Sequence, residues 1–396
     1  MDASVTPRPA INPLVADAGT PPISEAQAWM ARYGGAFGPA INMSQAVPGH
    51  PPHPDFMARL VEAAGSVDAA RYGSITGDAD LRETYAAHLS ALYGGMIAPT
   101  DIAITAGCNM GFVVTLMLLA KSGDNILLPS PWYFNHEMTA KMLGVEARAL
   151  PCEPAVGFVP DPDEAERLID ARTKAIVLVT PNNPTGAIYP DRVIQDVADL
   201  CRRRGLWLVI DETYRDFLPP SLDRAHGLFE RGAWRDHAIQ LYSFSKAYCI
   251  PGYRLGAVVA DARVIGELAK ILDCIQICAP RVGQRAVTWG VDALAEWREA
   301  NRLEMHRRAE VFRHVLGQRP EWLVDSVGAY FAYVRHPFEK RRGEEVAEAL
   351  AVERGVLALP GSYFGAAQNT HLRMAFGNLE ADRIESLGER LRGFRV

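Results

Sequence analysis

Trp207-Leu208-Val209-Ile210-Asp211-Glu212-Thr213-Tyr214 is the stretch that decides the fold. Its apolar residues follow one another without the polar alternation of a half-exposed strand, and the run stops on an acid. Such a run suits a strand covered on both faces, the kind found in parallel sheets. Working outward, comparable runs stand at 102–105, 125–128, 175–179, 239–243 and 256–260, with the strand of this stretch itself at 207–210. Helical stretches at 110–121, 191–203 and 262–277 separate them. Strands alternating with helices predict an α/β fold, a mostly parallel sheet flanked by helices.

On either side the rhythm differs. The first fifty residues are rich in Pro and Gly, ending in Pro48-Gly49-His50-Pro51-Pro52-His53-Pro54, and read as an extended arm rather than a packed unit. His50 and His53 have no acidic or cysteine partner nearby in sequence, so a proline-stiffened loop explains them better than a metal site. After about Val282 comes a charged helical region through His314, a strand-like stretch at 330–334, a helix near 344–353 and a closing helix from Ala381. This pattern predicts a smaller α+β domain. The expected division is 1–50 as arm and part of the small domain, 51–290 as the large domain, and 291–396 as the small C-terminal domain.

With 48% hydrophobic and 22% charged residues and a formal charge of −6, the 396-residue chain has an ordinary globular composition and no broad positive field for nucleic acid. Its six cysteines contain no Cys-x-x-Cys pair, so neither a zinc site nor a disulfide framework is expected, and a reducing cytoplasm fits best. Residues 1–19 lack a basic stretch followed by an apolar core, and no later segment offers an apolar run long enough to span a bilayer. Neither an export signal nor a membrane partner is expected.

Chemistry concentrates at three places. Ser243-Phe244-Ser245-Lys246-Ala247-Tyr248 leads into Gly252-Tyr253-Arg254-Leu255-Gly256. A lysine used as a nucleophile must shed its proton near neutral pH, which burial and a neighbouring cation favour. Hydroxyls and a guanidinium on the same loop suit a phosphate. Taken singly, these residues have plainer explanations, since most lysines are solvated and most loop serines cap helices or turns. The second place is Val179-Thr180-Pro181-Asn182-Asn183-Pro184-Thr185-Gly186, a turn at the carboxyl end of an expected strand, where ligands bind in open α/β sheets; a simple Asn-Pro turn would account for it too. The third is Asp211, an acid ending a buried strand, which is costly there without a cationic or hydrogen-bonding partner.

In this order and spacing the three segments resemble the class I/II aminotransferases of the fold-type I superfamily that uses pyridoxal phosphate, and the similarity runs from about Asn42 to Arg373. The resemblance implies pyridoxal 5'-phosphate as cofactor and transfer of an amino group between an L-amino acid and a 2-oxo acid by a ping-pong mechanism. Lys246 then matches the Schiff-base lysine and proton shuttle, and Asp211 the partner of the pyridine nitrogen. Asn183 and Tyr214 match the partners of the phenolic oxygen, and Ser243 and Arg254 match phosphate ligands. Thr105-Ala106-Gly107-Cys108-Asn109-Met110 resembles the strand-to-helix turn whose backbone amides meet the phosphate, with Cys108 as a packing substitute for a small residue. In Pro131-Trp132-Tyr133 the register points to Tyr133 as the ring stacked on the pyridine, with Trp132 the alternative.

Tyr72, in Arg71-Tyr72-Gly73-Ser74-Ile75-Thr76-Gly77, matches a tyrosine that reaches the phosphate of a neighbouring subunit, which implies a homodimer. Arg373, in His371-Leu372-Arg373-Met374, matches the arginine that forks onto the substrate α-carboxylate. Asn183 and Val47 complete the expected substrate contacts. Two positions depart from the family's pattern. Ser44-Gln45-Ala46-Val47-Pro48 stands where relatives often have a glycine, and Asn109 stands where an aspartate-using branch has a lysine. The same cofactor residues also serve lyases, such as cysteine-S-conjugate β-lyases. A non-catalytic regulator domain is a further alternative; it would follow a DNA-binding module, for which the short arm has no room.

Overall fold

The computed structural model describes residues 9–396. In chain order its strands are β1 (Ile41–Asn42), β2 (Ile102–Thr105), β3 (Asn125–Ser130), β4 (Glu146–Pro151), β5 (Thr173–Val179), β6 (Trp207–Asp211), β7 (Ala238–Ser243), β8 (Gly256–Val259), β9 (Leu323–Gly328), β10 (Phe331–Arg335), β11 (Val356–Leu357), β12 (Leu359–Pro360) and β13 (His371–Ala375).

A seven-stranded sheet in the order β2-β8-β7-β6-β5-β3-β4 forms the centre. Its pairings are parallel except at β8, which runs antiparallel to both β2 and β7. Leu208, Val209 and Ile210 of β6 are all buried, as a strand covered on both faces requires. The apolar run at 207–210 is therefore a strand covered on both faces, and the mostly parallel sheet flanked by helices stands.

β4 escaped the sequence reading for a physical reason. It lies at the sheet edge, and Glu146 and Pro151 are exposed while Leu150 alone is fully buried, so it carries no apolar run. The helix expected at 262–277 spans Ala262–Ile275, and Ile277 adopts φ +60°, which no helix continues through. The charged helical region divides at Leu294 into Arg281–Ala293 and Ala295–Gly317.

The smaller sheet is antiparallel, in the order β12-β13-β10-β9, and covers the expected strand at 330–334 with β10. The arm is not the extended segment its prolines suggested. Residues Pro22–Met30 form a helix with Pro22 at its start, where proline's missing N–H costs nothing, and Ala26 and Trp29 are buried facing the helix Gly343–Arg354. β1 then pairs in parallel with β11. No helix among the described residues is long and apolar enough to cross a membrane.

Candidate active site

A cleft of about 600 Å³ opens at the carboxyl ends of the central strands. Each wall follows from local chain geometry. β2 ends in a turn at Gly107, φ +90°, which caps the helix Cys108–Leu119. A Cβ on Gly107 would sit 2.3 Å from Arg254 Nη2, so a glycine is needed for the Arg254 guanidinium to lie against this helix start. Arg254 itself holds φ +53° and donates from Nη1 to the Pro251 carbonyl at 3.0 Å, leaving its other nitrogens toward the cleft that it lines. Unpaired amides and the positive end of the dipole make such a helix start an anion site.

β7 ends at Ser243, whose hydroxyl accepts the Ser245 amide at 3.3 Å and starts the short helix Phe244–Ala247. Ser245 also lines the cleft, and its hydroxyl is buried with no protein partner. Sequence reasoning left Ser245 without a role; the signal that could have found it was a second hydroxyl beside the lysine.

Lys246 follows, its amine hydrogen-bonded at 2.6 Å to the Ala46 carbonyl and 5.8 Å from the centre of the Tyr214 ring. Burial first, then the positive charges of Arg373 and Arg254, lower its pKa from 10.5 to about 8. At pH 7 that raises the free-amine fraction from about one in three thousand to about one in ten. The burial and the neighbouring cations expected of a reactive lysine are both present.

Asp211 ends β6 on the opposite wall. One carboxylate oxygen accepts the Thr213 amide at 3.0 Å and the Thr213 hydroxyl at 2.7 Å; the other lies 3.3 Å from His136 Nε2. Burial would raise its pKa, but His136 and Thr213 outweigh it and hold the carboxyl below the usual range. The partner demanded by a buried acid is therefore present within the chain. His136 was not singled out from sequence, because it stands 75 residues from Asp211 and meets it only after folding; its ring stacks on Phe112 at 4.0 Å. The Cys108 thiol donates to Asp211 at 3.7 Å, and burial pushes the thiol's pKa well up, in keeping with a packing residue.

Tyr133 presents its ring to the cleft, with its hydroxyl accepting from Asn135 Nδ2 at 2.8 Å and its edge meeting His136. Trp132 packs instead with the core on the far side of the sheet. Asn109, Asn183 and Tyr214 also line the cleft. Arg373, on β13, donates from Nη1 to Asn183 Oδ1 at 3.0 Å and from Nη2 to the Ser44 carbonyl, while its Nε has no partner. Its guanidinium is buried over Phe331 and Phe364, with centroids at 5.3 and 4.9 Å, and burial pulls its pKa down to about 10. A buried cation met only by neutral acceptors is a poised receptor for a carboxylate. Val47 lies half-buried in the strap that supplies the Ser44 and Ala46 carbonyls. Tyr72 is elsewhere, 78% exposed on the surface of the chain.

A second hollow of about 810 Å³, between His88, Arg298 and Arg302, contains no lysine and none of the residues above. Chemistry therefore assigns the cleft around Lys246. It offers an anion cradle at one end, a carboxylate opposite, and a partly deprotonated amine near a buried guanidinium.

A family model described as aminotransferase class I and II matches residues 39–391. The chain is similar to the aromatic aminotransferase ISS1 of Arabidopsis thaliana, 27% identical over 359 residues and covering 89% of each chain. It is also similar to an aspartate aminotransferase of Sulfurisphaera tokodaii, 28% identical over 350 residues and 86% of each chain. Among solved structures, a double mutant of Thermus thermophilus aspartate aminotransferase superposes with a TM-score of 0.89 at 22% identity, over 97% of this chain and 99% of that one. YbdL of Escherichia coli, described as having a methionine aminotransferase function, gives 0.88 at 23% identity over 98% and 100%. These structural likenesses establish the fold.

Proposed function

The chain belongs to the class I and II aminotransferases, and from that membership we propose that it moves an amino group between an L-amino acid and a 2-oxo acid in two ping-pong half-reactions, with Lys246 as the lysine that carries the proton. The observation that supports this most is the amine of Lys246, buried between two guanidinium groups with its pKa near 8, in a cleft that faces Asp211.

The residues present fit pyridoxal 5'-phosphate. The partnerless hydroxyl of Ser245, the Ser243 hydroxyl, Arg254 and the amides following Gly107 at Cys108 and Asn109 form a cradle of the right chemistry for its phosphate. Asp211 would hold a proton on its pyridine nitrogen, Asn183 and Tyr214 would face its phenolic oxygen, and Tyr133 would lie along its ring. When bound, the cofactor supplies an electron sink for the carbanion left at the substrate Cα.

The chain's own part is binding and proton transfer. Arg373 takes the substrate α-carboxylate, its partnerless Nε offering a free donor, with Asn183 and Val47 as the further substrate contacts. Lys246, as free amine, accepts the substrate Cα proton on Nζ and as the ammonium can give it up again, so one group acts first as base and then as acid. A second copy of the chain is proposed to complete the site, with the exposed Tyr72 reaching the neighbour's phosphate cradle. All six cysteines are unpaired, in keeping with the cytoplasm as its compartment.

The relatives named above act on aromatic, aspartate or methionine substrates, so a panel must identify the donor. The test is the absorbance of the purified protein with pyridoxal phosphate, recorded before and after single amino acids. Conversion of the cofactor band by one group of amino acids, reversed by 2-oxo acids, supports transamination and names the donor class. Product formation without need of an acceptor 2-oxo acid would replace it with lyase chemistry, and no band at all would overturn the cofactor.

A further inference from the structure

The histidines of the proline-rich segment have a place in the fold that the reaction does not account for. Residues 44–47 form a strap that joins Arg373 to Lys246, with the Ser44 carbonyl on the guanidinium and the Ala46 carbonyl on the amine. Its first end is tied to the small sheet. The Met43 carbonyl accepts the Ala375 amide at 2.9 Å, the Asn42 carbonyl accepts Asn378 Nδ2 at 3.0 Å, and Asn42 Oδ1 accepts the Ser44 amide and hydroxyl at 3.0 and 2.7 Å. Its far end is tied to the catalytic loop. His50 Nε2 lies 3.3 Å from Cys249 Sγ, three residues after Lys246 in a left-handed turn with φ +58°. The His50 and His53 rings both stand edge-on to Trp297, at 6.0 and 5.9 Å, and His53 Nδ1 accepts the Asp55 amide as the following helix begins.

We propose that His50 is a positioning residue that pins the strap to the loop of Lys246 and thereby sets the affinity for the amino donor without touching it. The inference rests on the transaminase reading above. The contact is one between two neutral groups. Burial, then Arg308, lower the His50 pKa against the opposing pull of Glu380, Glu304 and the Asn301 hydrogen bond, so the ring is neutral at pH 7 and has a lone pair to offer. Burial pushes the Cys249 thiol up to about 12, so it keeps its proton, and Sγ also lies 3.9 Å from the Lys246 carbonyl. Close packing adds to the bond, since any Cβ on Gly49 would sit 2.8 Å from the Asn378 backbone and lift the strap away.

A strap already ordered adds no conformational cost when substrate binds. Once loosened, it must be ordered at that moment, and the cost appears in binding rather than in the proton-transfer step.

The experiment uses the holoenzyme and its preferred donor. His50→Ala is expected to raise KM about tenfold with kcat within about twofold, from the ordering of a few side chains. His50→Gln, whose amide can either accept from or donate to the thiol, restores most of the affinity. Cys249→Ala repeats the KM effect, Cys249→Ser spares it, and the double alanine variant is no worse than His50→Ala alone because both remove one contact. Peptide-level alkylation reads the strap without turnover, with Cys249 reacting faster in His50→Ala than in wild type, whether or not cofactor is present.

Unchanged KM and unchanged alkylation would overturn the proposal, as would a fall in kcat at constant KM. If His50→Ala does not fold, Cys249→Ala tests the same contact from its other side. If the wild-type protein converts with no amino acid, the transaminase reading fails, while the alkylation comparison still decides the strap.

Discussion

Asp211 and Glu212 are consecutive acids on or just past β6, both buried, and they serve different ends of the molecule. Asp211 faces the cleft and keeps one side open to a ligand, with Thr213 and His136 on the others. Glu212 faces the interior and is closed in completely. Tyr93 donates to it at 2.6 Å and Gln240 donates as well, while Arg215 lies 3.7 Å away, stacked over the Tyr242 ring at 3.9 Å. His226 Nδ1 accepts the Leu228 amide, which leaves the proton on Nε2, 2.9 Å from Glu212. Burial would raise the Glu212 pKa, but His226 and Arg215 hold it down. A change of face by one residue separates an acid kept for a ligand from an acid kept for the fold.

That contrast can be broken from either side. On the ligand side, Lys246→Ala should lower the rate of cofactor conversion by more than about 10³-fold, since it removes both the nucleophile and the general base. Stopped-flow absorbance measures this, and a variant that still converts at the wild-type rate would remove Lys246 from the reaction. On the fold side, Glu212→Ala removes the buried acceptor of Tyr93 and Gln240 and the ionic partner of His226 and Arg215, and should cost about 3–5 kcal/mol of stability, read from the denaturant midpoint. Asp211→Asn should do the reverse, cutting kcat by about 10²-fold, since it removes an electrostatic partner of the kind worth that much, while destabilising far less than Glu212→Ala. Equal effects of the two substitutions on stability would erase the distinction.

Smaller effects sharpen the picture. In cofactor-free protein, acylation of Lys246 should rise with pH around a midpoint near 8, whereas an unperturbed lysine waits for about 10.4. The stability sign follows from the same shift. Between pH 8 and 10.5 the unfolded chain holds the Lys246 proton and the folded chain does not, so this residue makes stability rise with pH across that window. Ser245→Ala should weaken pyridoxal phosphate binding by about two- to tenfold, the worth of one hydrogen bond, in a dialysis or fluorescence titration.

What could be read in the sequence was whatever is local. β6 reads as buried because both its faces are apolar, Asp211 and Lys246 could be picked out because they stand at or just past the end of apolar strands, and Arg373, in the middle of β13, was reached only through the resemblance of its motif. What could not be read depends on meetings across the chain. His136 reaches Asp211 from 75 residues away, and Asn135 reaches the Tyr133 hydroxyl by the way a helix begins. β4 hid because an edge strand is half wet, and the helix Pro22–Met30 hid because its prolines look like breakers while one of them occupies a helix start.

The antiparallel strand β8 has a consequence for how such a site can diversify. By lying between β2 and β7 it brings the Gly107 turn, Arg254 and the serines of the lysine loop onto one rigid sheet, while Arg373 rides on a different sheet. On the proposed roles, the grip on the cofactor and the grip on the substrate thus belong to separate sheets. On that reading, selection acting on the choice of substrate can rework residues 44–47 and the turn before β13 without disturbing the proposed phosphate cradle, so one inherited cofactor site can serve a succession of donors.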